Sequence, residues 1–254
     1  MLRQLMKRLI LFIAVLLTIV TASVIFIKPV VVAFAKKKME HAIPGSTVSI
    51  GEVNFYYSPW SLLQQRATGN VFIKKFQYDK FTARNIRVKL RWKGRYVFLD
   101  ALSGQVLNGT VDGKGSLTIG EGSRYLIQLN FNNLDLVSFV KDFDLKEKVE
   151  MTGRLSGNVL LNGIGRDINI LNGDFVASAG GGKVTIKDTR FLENMAQSSK
   201  LPANIVVDSF KDYHYNTGLM QMFLEKGDLV LAVFLEGATG KRNLKIDLHD
   251  FSLK

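Results

Sequence analysis

The chain has 254 residues, a formal net charge of +12, three histidines and no cysteine. The length is enough for one domain of ordinary size or two small ones. The lack of cysteine excludes a disulfide framework, a cysteine-based zinc site, an iron–sulfur cluster and a thiol nucleophile. With 47% hydrophobic and 22% charged residues, the chain is too apolar to be disordered. The positive charge alone would suit a nucleic-acid partner. Whether that interpretation holds depends on where the charges lie in the sequence.

Half of the net charge lies in residues 1–40, which hold seven basic residues, one acid and no glycine. Residues 9–27 are an uncharged apolar run; as a helix this run would be about 28 Å long, close to the thickness of a bilayer core. The alternative is a cleaved signal peptide, whose apolar region usually has about 7–15 residues. The run therefore predicts a transmembrane anchor, although the flanking basic residues do not set its orientation.

Residues 28–45 predict a short juxtamembrane helix that ends at Pro44-Gly45. Its apolar residues would face the membrane. Its basic cluster would lie near lipid headgroups, as is typical of an amphipathic segment beside a span. That cluster consists of Lys36, Lys37 and Lys38.

From residue 46 onward, apolar and polar residues alternate, which is typical of strands with one covered face. The alternation is clearest at 85–93, with similar runs at 124–132, 166–177, 228–236 and 243–251. Glycine-containing pairs and triplets between apolar runs predict tight turns. They lie at Asn108-Gly109, Asp112-Gly113, Gly120–Gly122, Asn162-Gly163, Asn172-Gly173 and Lys226–Asp228.

Helical patterns are few. The predicted helices are 134–146, 190–197 and 213–222, the last capped by Asp212. About a dozen strands with short connections predict a mainly β fold with a long, mostly antiparallel sheet. Because so many strands tend to curl, we expect a curved sheet that forms an apolar groove behind the N-terminal transmembrane helix. A barrel and a sandwich are the alternatives.

No catalytic, cofactor or metal site is predicted. The histidines are isolated, and no HExxH or GxSxG pattern occurs. The run Gly180–Lys183 is similar to the end of a phosphate loop, but Val184 occupies the Ser/Thr position. A glycine-rich strand connection explains that run better, and the sequence therefore predicts a protein that is not an enzyme.

Six basic residues lie between Arg84 and Arg95. Three interpretations are open: the residues form a solvated strand face that discourages edge pairing, bind nucleic acid or bind anionic lipid headgroups. Beside a membrane anchor, and with Trp92 on the opposite face, the headgroups fit best, and nucleic acid is not expected as a partner. The predicted headgroup contacts are Arg87, Lys89, Arg91, Lys93, Lys36, Lys37 and Lys38.

The apolar strand faces are either an ordinary core or a binding surface. Because few amphipathic helices are available to cover so many strands, an uncovered apolar face would mark a binding site. Acyl chains suit it, since each buried methylene contributes about 0.8 kcal/mol. The predicted lipid-groove residues are Ile86, Val88, Leu90, Trp92, Ile127, Leu129, Phe131, Leu244, Ile246 and Leu248.

Five segments carry a family resemblance: the entry strand at 44–60, the strands at 84–104 and 108–140, the glycine-rich run at 151–186 and the tail at 208–253. Together they resemble the AsmA-like proteins of the bacterial envelope, relatives of TamB and YdbH. The resemblance implies a single-pass inner-membrane protein with a cytoplasmic tail at 1–8 and a periplasmic β-rich domain at 46–254.

The resemblance further implies a β-taco-like groove that holds phospholipid acyl chains, with no catalytic residues. The expected function is phospholipid transport between the inner and outer membranes or maintenance of the envelope. The alternative is an assembly component that resembles the N protein of type II secretion systems. In either case the expected partners include other envelope or secretion proteins.

Overall fold

The computed structural model describes residues 46–56, 64–78, 81–165, 167–188 and 207–248. The predicted anchor, juxtamembrane helix and helix 190–197 lie outside these ranges. No helix among the described residues is long and apolar enough to cross a membrane. The described strands are β1 (Ser46–Tyr56), β2 (Arg66–Tyr78), β3 (Phe81–Lys93), β4 (Tyr96–Val106), β5 (Gly109–Thr118), β6 (Arg124–Asp135), β7 (Val149–Met151), β8 (Arg154–Ile164), β9 (Asp167–Ala177), β10 (Gly182–Ile186), β11 (Tyr213–Tyr215), β12 (Thr217–Glu225), β13 (Asp228–Gly237) and β14 (Gly240–Leu248).

Eleven of these strands form one antiparallel sheet in the order β1-β2-β3-β4-β5-β6-β8-β9-β12-β13-β14. The sheet is open, with β1 and β14 at its edges, so the mainly β, antiparallel prediction is confirmed. The three strands left out of this order, β7, β10 and β11, come from the connections between its strands. They form a second, three-stranded sheet in the order β11-β10-β7.

Most of the long strands have one buried and one exposed face, here called the inner and the outer face. In β3 the inner residues Ile86, Val88 and Leu90 are buried, and the basic residues between them are exposed. Asn85 adopts a positive φ of 52° where the pairing with β4 shifts register, so alternation begins after this bulge. Inner-face side chains of β1–β6, β8, β9, β12 and β13 belong to one hydrophobic cluster.

The predicted helix at 134–146 is confirmed in its centre. Helix α1 spans Leu136–Asp142, and Asp135 caps its N-terminus. The Asp135 carboxylate accepts hydrogen bonds from the Ser138 amide at 3.0 Å and from the Ser138 hydroxyl at 2.6 Å. Such a cap supplies an acceptor to an amide that has no partner within the helix.

The predicted helix at 213–222 is wrong, because this segment forms β11 and most of β12. Tyr213 and Tyr215 are buried and His214 between them is exposed, which is a period of two. Apolar residues then occupy both faces of β12, and this hides the alternation. Asp212 is not a helix cap; its carboxylate lies 2.8 Å from the ammonium group of Lys183 on β10.

Several predicted turns lie inside strands instead. Asp112-Gly113, Asn162-Gly163 and Asn172-Gly173 belong to β5, β8 and β9. These glycines face the core, where a side chain would collide: a Cβ at Gly113 would be 2.6 Å from both the Gln128 carbonyl oxygen and a Leu129 methyl group. Their role is close packing, since none of the three has a positive φ.

The turns at Gly120–Gly122 and Lys226–Asp228 are confirmed, with positive φ angles at Gly120, Gly122, Lys226 and Gly227. At the Asn108-Gly109 signal, the turn is displaced by one residue. Leu107 and Asn108 occupy the two left-handed positions, and Gly109 begins β5.

Candidate functional site

An apolar cavity of about 430 Å³ lies between the inner face of the main sheet and the three-stranded sheet. The main sheet contributes side chains of β8, β9, β12, β13 and β14. The opposite wall consists of α1, the small sheet and Phe210. The lining residues are Leu136, Phe139, Leu145, Lys148, Val149, Met151, Leu155, Ala177, Val184, Ile186, Asp188, Phe210, Tyr215, Gly218, Leu219, Met220, Leu231, Val233, Leu235, Arg242 and Leu244.

The strand register arranges the floor of the cavity in rows across β12, β13 and β14. One row consists of Met220, Val233 and Leu244, which are direct neighbours across the strands. The adjacent row begins at Gly218, opposite Leu235. Gly218 is closely packed: a Cβ at this position would lie 3.1 Å from a Leu235 methyl group and 3.3 Å from the Ala177 Cβ.

Tyrosine hydroxyl groups hold β11 in place above this floor. Tyr215 donates a hydrogen bond to the Thr152 carbonyl oxygen at 3.0 Å, and Tyr213 donates one to the Gly240 carbonyl oxygen at 2.6 Å. Burial raises the pKa of Tyr215, so its hydroxyl stays a neutral donor. Since a buried hydroxyl without a partner would be costly, these bonds allow aromatic residues to line an apolar space.

Three charged residues, Lys148, Asp188 and Arg242, border the cavity. Lys148 is exposed, which places this border at the solvent. The Lys148 carbonyl oxygen accepts hydrogen bonds from the amides of Lys187 at 2.7 Å and Asp188 at 3.2 Å. An apolar interior bordered by charge is suited to an amphipathic ligand.

Arg242 is held by groups that leave its charge uncompensated. Its guanidinium lies 4.9 Å from the centre of the Tyr213 ring. Its Nε donates to the Ser209 carbonyl oxygen at 3.3 Å and its Nη1 to the Lys241 carbonyl oxygen at 3.0 Å. Among the described residues Arg242 has no carboxylate partner, so it can contribute positive charge to an anionic ligand.

The predicted lipid-groove residues lie in different surroundings. Leu244 lines the cavity. Trp92 is half-buried and donates from its indole nitrogen to the Gly94 carbonyl oxygen at 2.6 Å. Ile246 and Leu248 belong to β14, but their side chains fall outside the described part. The others are buried in the main cluster with relative exposures between 1% and 6%: Ile86, Val88, Leu90, Ile127, Leu129 and Phe131.

The predicted headgroup-contact residues of β3 are exposed on its outer face. Two of them stack on aromatic rings: Arg87 lies 5.9 Å from the Phe72 ring centre, and Arg91 lies 4.8 Å from that of Phe98. Lys36, Lys37 and Lys38 lie outside the described residues. The structure therefore places this basic face and the apolar cavity on opposite faces of the main sheet.

Most of the cavity lining was missed by sequence reasoning. A helix at 213–222 would scatter Gly218, Met220 and Met222 around its axis, whereas a strand aligns them. The alternation of Tyr213, His214 and Tyr215 was the signal that could have identified the strand. No group of three or more potential metal ligands occurs in the described ranges.

A protein-family model described as "YdbH-like: Intermembrane phospholipid transport protein YdbH" matches residues 59–243. The match covers most of the chain and includes every lining residue of the cavity except Leu244. It supports the resemblance to AsmA-like envelope proteins and gives no support to a type II secretion component. No curated protein and no solved structure matches the chain.

Proposed function

Since the chain belongs to the YdbH-like family, we propose that it is a non-enzymatic carrier that binds phospholipid by its acyl chains. It would contribute to phospholipid transport between the inner and outer membranes, with the apolar cavity as a binding site. The observation that carries this assignment is the lining of the cavity, which is hydrophobic except at its border.

The cavity volume fits one acyl chain. A volume of about 430 Å³ corresponds to roughly 14 units of the size of a water molecule, at about 30 Å³ each, and a methylene group has a similar size. Each methylene buried there would contribute about 0.8 kcal/mol. Hydrophobic burial needs no directional contact, which suits a carrier that accepts chains of different length.

The border of the cavity suits a lipid headgroup. The cationic side chains of Arg242 and Lys148 can attract a phosphate, and the Asp188 carboxylate can attract an amine. A phospholipid with its chain inside and its headgroup at Arg242 would keep each part in the environment that it prefers.

We infer that the main sheet curves around its inner face to form a groove. The inner-face cluster extends from β1 to β13, whereas the main-sheet residues that line the cavity beneath the small sheet come from β8, β9, β12, β13 and β14. The buried groove residues of β3 and β6 would then be a packed continuation of the cavity, which contacts lipid when the sheet opens.

The proposed location is the bacterial inner membrane, with the described domain in the periplasm. It rests on the family and on the apolar run at residues 9–27. Lipid would leave the periplasmic side of the inner membrane near the anchor and then enter the groove on the inner face of the sheet.

Native mass spectrometry of the full chain, purified in detergent, tests the cavity. Ala177→Trp should fill it, because Ala177 lines the cavity from β9. Val176→Trp is the matched control, since Val176 is 55% exposed on the outer face of the same strand. We expect bound phospholipid in the wild type and the control, and at least tenfold less in Ala177→Trp.

Absence of phospholipid from the wild type would overturn the carrier function. Equal lipid in both tryptophan variants would overturn the cavity as its site. Circular dichroism and thermal unfolding of the two variants would confirm that each retains the β fold.

A further inference from the structure

A second surface lies on the outer face of β3, away from the cavity. The five exposed basic residues of this strand form what we call the basic array. They are Arg84, Arg87, Lys89, Arg91 and Lys93. Alternate side chains on a strand are roughly 7 Å apart, so the array is a regular row of positive charge.

Neighbouring strands widen the array. Register pairs Arg66 of β2 with Lys93, and Lys75 of β2 with Arg84, so both ends of the row carry a second cation. All of these side chains are exposed. The basic surface is therefore two strands wide at both ends of the row.

Little of this charge is compensated. Among the described residues, one ion pair involves the array: Asp100 of β4 accepts from Arg91 Nη2 at 2.8 Å and from Nε at 3.1 Å. Asp142 interacts electrostatically with Arg84 at one end of the row, and two further carboxylates on this face, Glu52 and Asp112, lie on β1 and β5. The net charge of the face is therefore strongly positive.

The centre of the array contains a shallow depression of about 550 Å³. Arg87 and Lys89 line it, and their partners on β4 are the small residues Ser103 and Ala101. The side chain of Asn70 lies opposite Lys89 on β2. A phosphate group in this depression would meet two cations together with amide and hydroxyl donors, and also the Glu52 carboxylate of β1, which lines the same depression.

We propose that the basic array docks the domain onto the surface of an anionic lipid bilayer. An extended row of cations matches a plane of negative headgroups, and each basic residue near such a surface strengthens binding. The rings beside the array, those of Phe72 and Phe98, lie under guanidinium groups. Because they are covered, they are poorly placed to stack with the bases of a single-stranded nucleic acid.

Docking would position the domain without using the cavity, because the two sites lie on opposite faces of the sheet. In this proposal the outer face contacts the membrane surface, and the inner face remains available to bind a lipid molecule. Failure of one site does not imply failure of the other.

The test uses the full chain in phosphatidylcholine nanodiscs and measures co-flotation with separate vesicles. Vesicles of phosphatidylcholine alone are compared with vesicles that also contain phosphatidylglycerol. The wild type should bind the anionic vesicles, and rising salt should weaken this binding. Lys89→Gln with Lys93→Gln should lower the partition coefficient roughly 25-fold, at about fivefold for each basic residue lost.

The matched control is Lys146→Gln with Lys226→Gln, which changes the net charge equally at exposed sites away from β3. It should bind like the wild type. Asp100→Asn removes the acid that neutralises Arg91 and should strengthen binding about fivefold. Cavity-filling Ala177→Trp should bind vesicles normally, which separates docking from the carrier function.

Equal binding to neutral and anionic vesicles would overturn the docking surface, as would equal losses in the array variant and its control. Tighter binding to a single-stranded oligonucleotide than to anionic vesicles, abolished by the same two substitutions, would identify a nucleic-acid site and also overturn it.

Discussion

The rings of Phe131 and Phe175 lie with their centroids 5.9 Å apart, although β8 separates their strands. The residue between them is Gly157, which is paired with Phe131 on one side and with Phe175 on the other. The two rings meet over the missing side chain. This contact bridges three strands of the inner face and links the main core to the part of the sheet that carries the cavity.

Gly157→Ala should therefore destabilise the domain by about 1–3 kcal/mol, the usual cost of overpacking a core. A Cβ at this position would collide with the Asp174 carbonyl oxygen and would lie 2.6 Å from Cδ1 and 2.7 Å from Cα of Phe175, so both the ring and the backbone of β9 would have to move. Asn158→Ala, at an exposed site on the same strand, is the control. Urea unfolding measures both, and equal stability of the two variants would contradict the packing role of Gly157.

The cap of α1 should make stability depend on pH. Burial acts to raise the pKa of Asp135, but hydrogen bonds from Ser138, Val137 and Asn108 outweigh it, and the pKa is lowered. The carboxylate thus stabilises the fold above its unfolded pKa of about 3.9, and this stabilisation is lost as the pH falls through the lower folded value.

Asp135→Ala should cost about 1 kcal/mol at neutral pH through loss of the cap. Asp135→Asn keeps an acceptor but no longer titrates, so its deficit against the wild type should shrink as the pH falls below about 4. Unfolding curves across this range, with Asp208→Asn as an exposed control, measure the effect. A deficit that does not vary with pH would show that the charge of Asp135 is irrelevant.

Arg242 should select the headgroup of a bound lipid. Arg242→Gln removes the positive charge at the cavity border, and we expect the ratio of phosphatidylglycerol to phosphatidylethanolamine bound to fall roughly tenfold, as for a lost charge-assisted hydrogen bond. Arg242→Lys should keep part of this preference, because it retains the charge but not the planar group that stacks on Tyr213.

Native mass spectrometry with an equal mixture of the two lipids measures that ratio. Lys241→Gln is the control, since Lys241 is exposed and its ammonium lies 3.5 Å from the Glu236 carboxylate. If both glutamine variants shift the ratio alike, Arg242 has no special part in recognition.

The sequence predicted the strands whose two faces differ most. Ile86, Val88 and Leu90 alternate with basic residues, so burial of one face follows directly from composition. Strand β12 was missed because Phe223 on its outer face is also apolar, and apolar residues on both faces remove the period of two. The conformation of β12 is determined by its pairing with β9 and β13, and local sequence propensity carries no information about that pairing.

The cavity could not be predicted from the sequence for a related reason. Its floor follows from strand register, but its opposite wall comes from segments such as Val149–Met151 and Tyr213–Tyr215, which are too short to give a periodic pattern. Two of the Asn-Gly pairs caused a second error, because they predict turns but lie inside strands. Glycine is found both in turns and in tightly packed strands, so the pair alone does not distinguish them. At Gly173 the reason is the neighbouring strand, where a Cβ would lie 2.9 Å from the Met222 methyl group.

The cavity can form only when nearly the whole chain has been made, because its wall includes the three-stranded sheet. The hairpins from β1 to β6 pair residues close in sequence, so they can form early as the chain is made. β10 instead pairs with β7, more than thirty residues before it, as Val184 does with Met151, and with β11, about thirty residues after it, as Val184 does with Tyr213. These distant pairings bear a larger loop-closure cost. We therefore expect the proposed lipid site to assemble last, and a chain truncated before Tyr213 to keep most of the sheet but to have no enclosed place for an acyl chain.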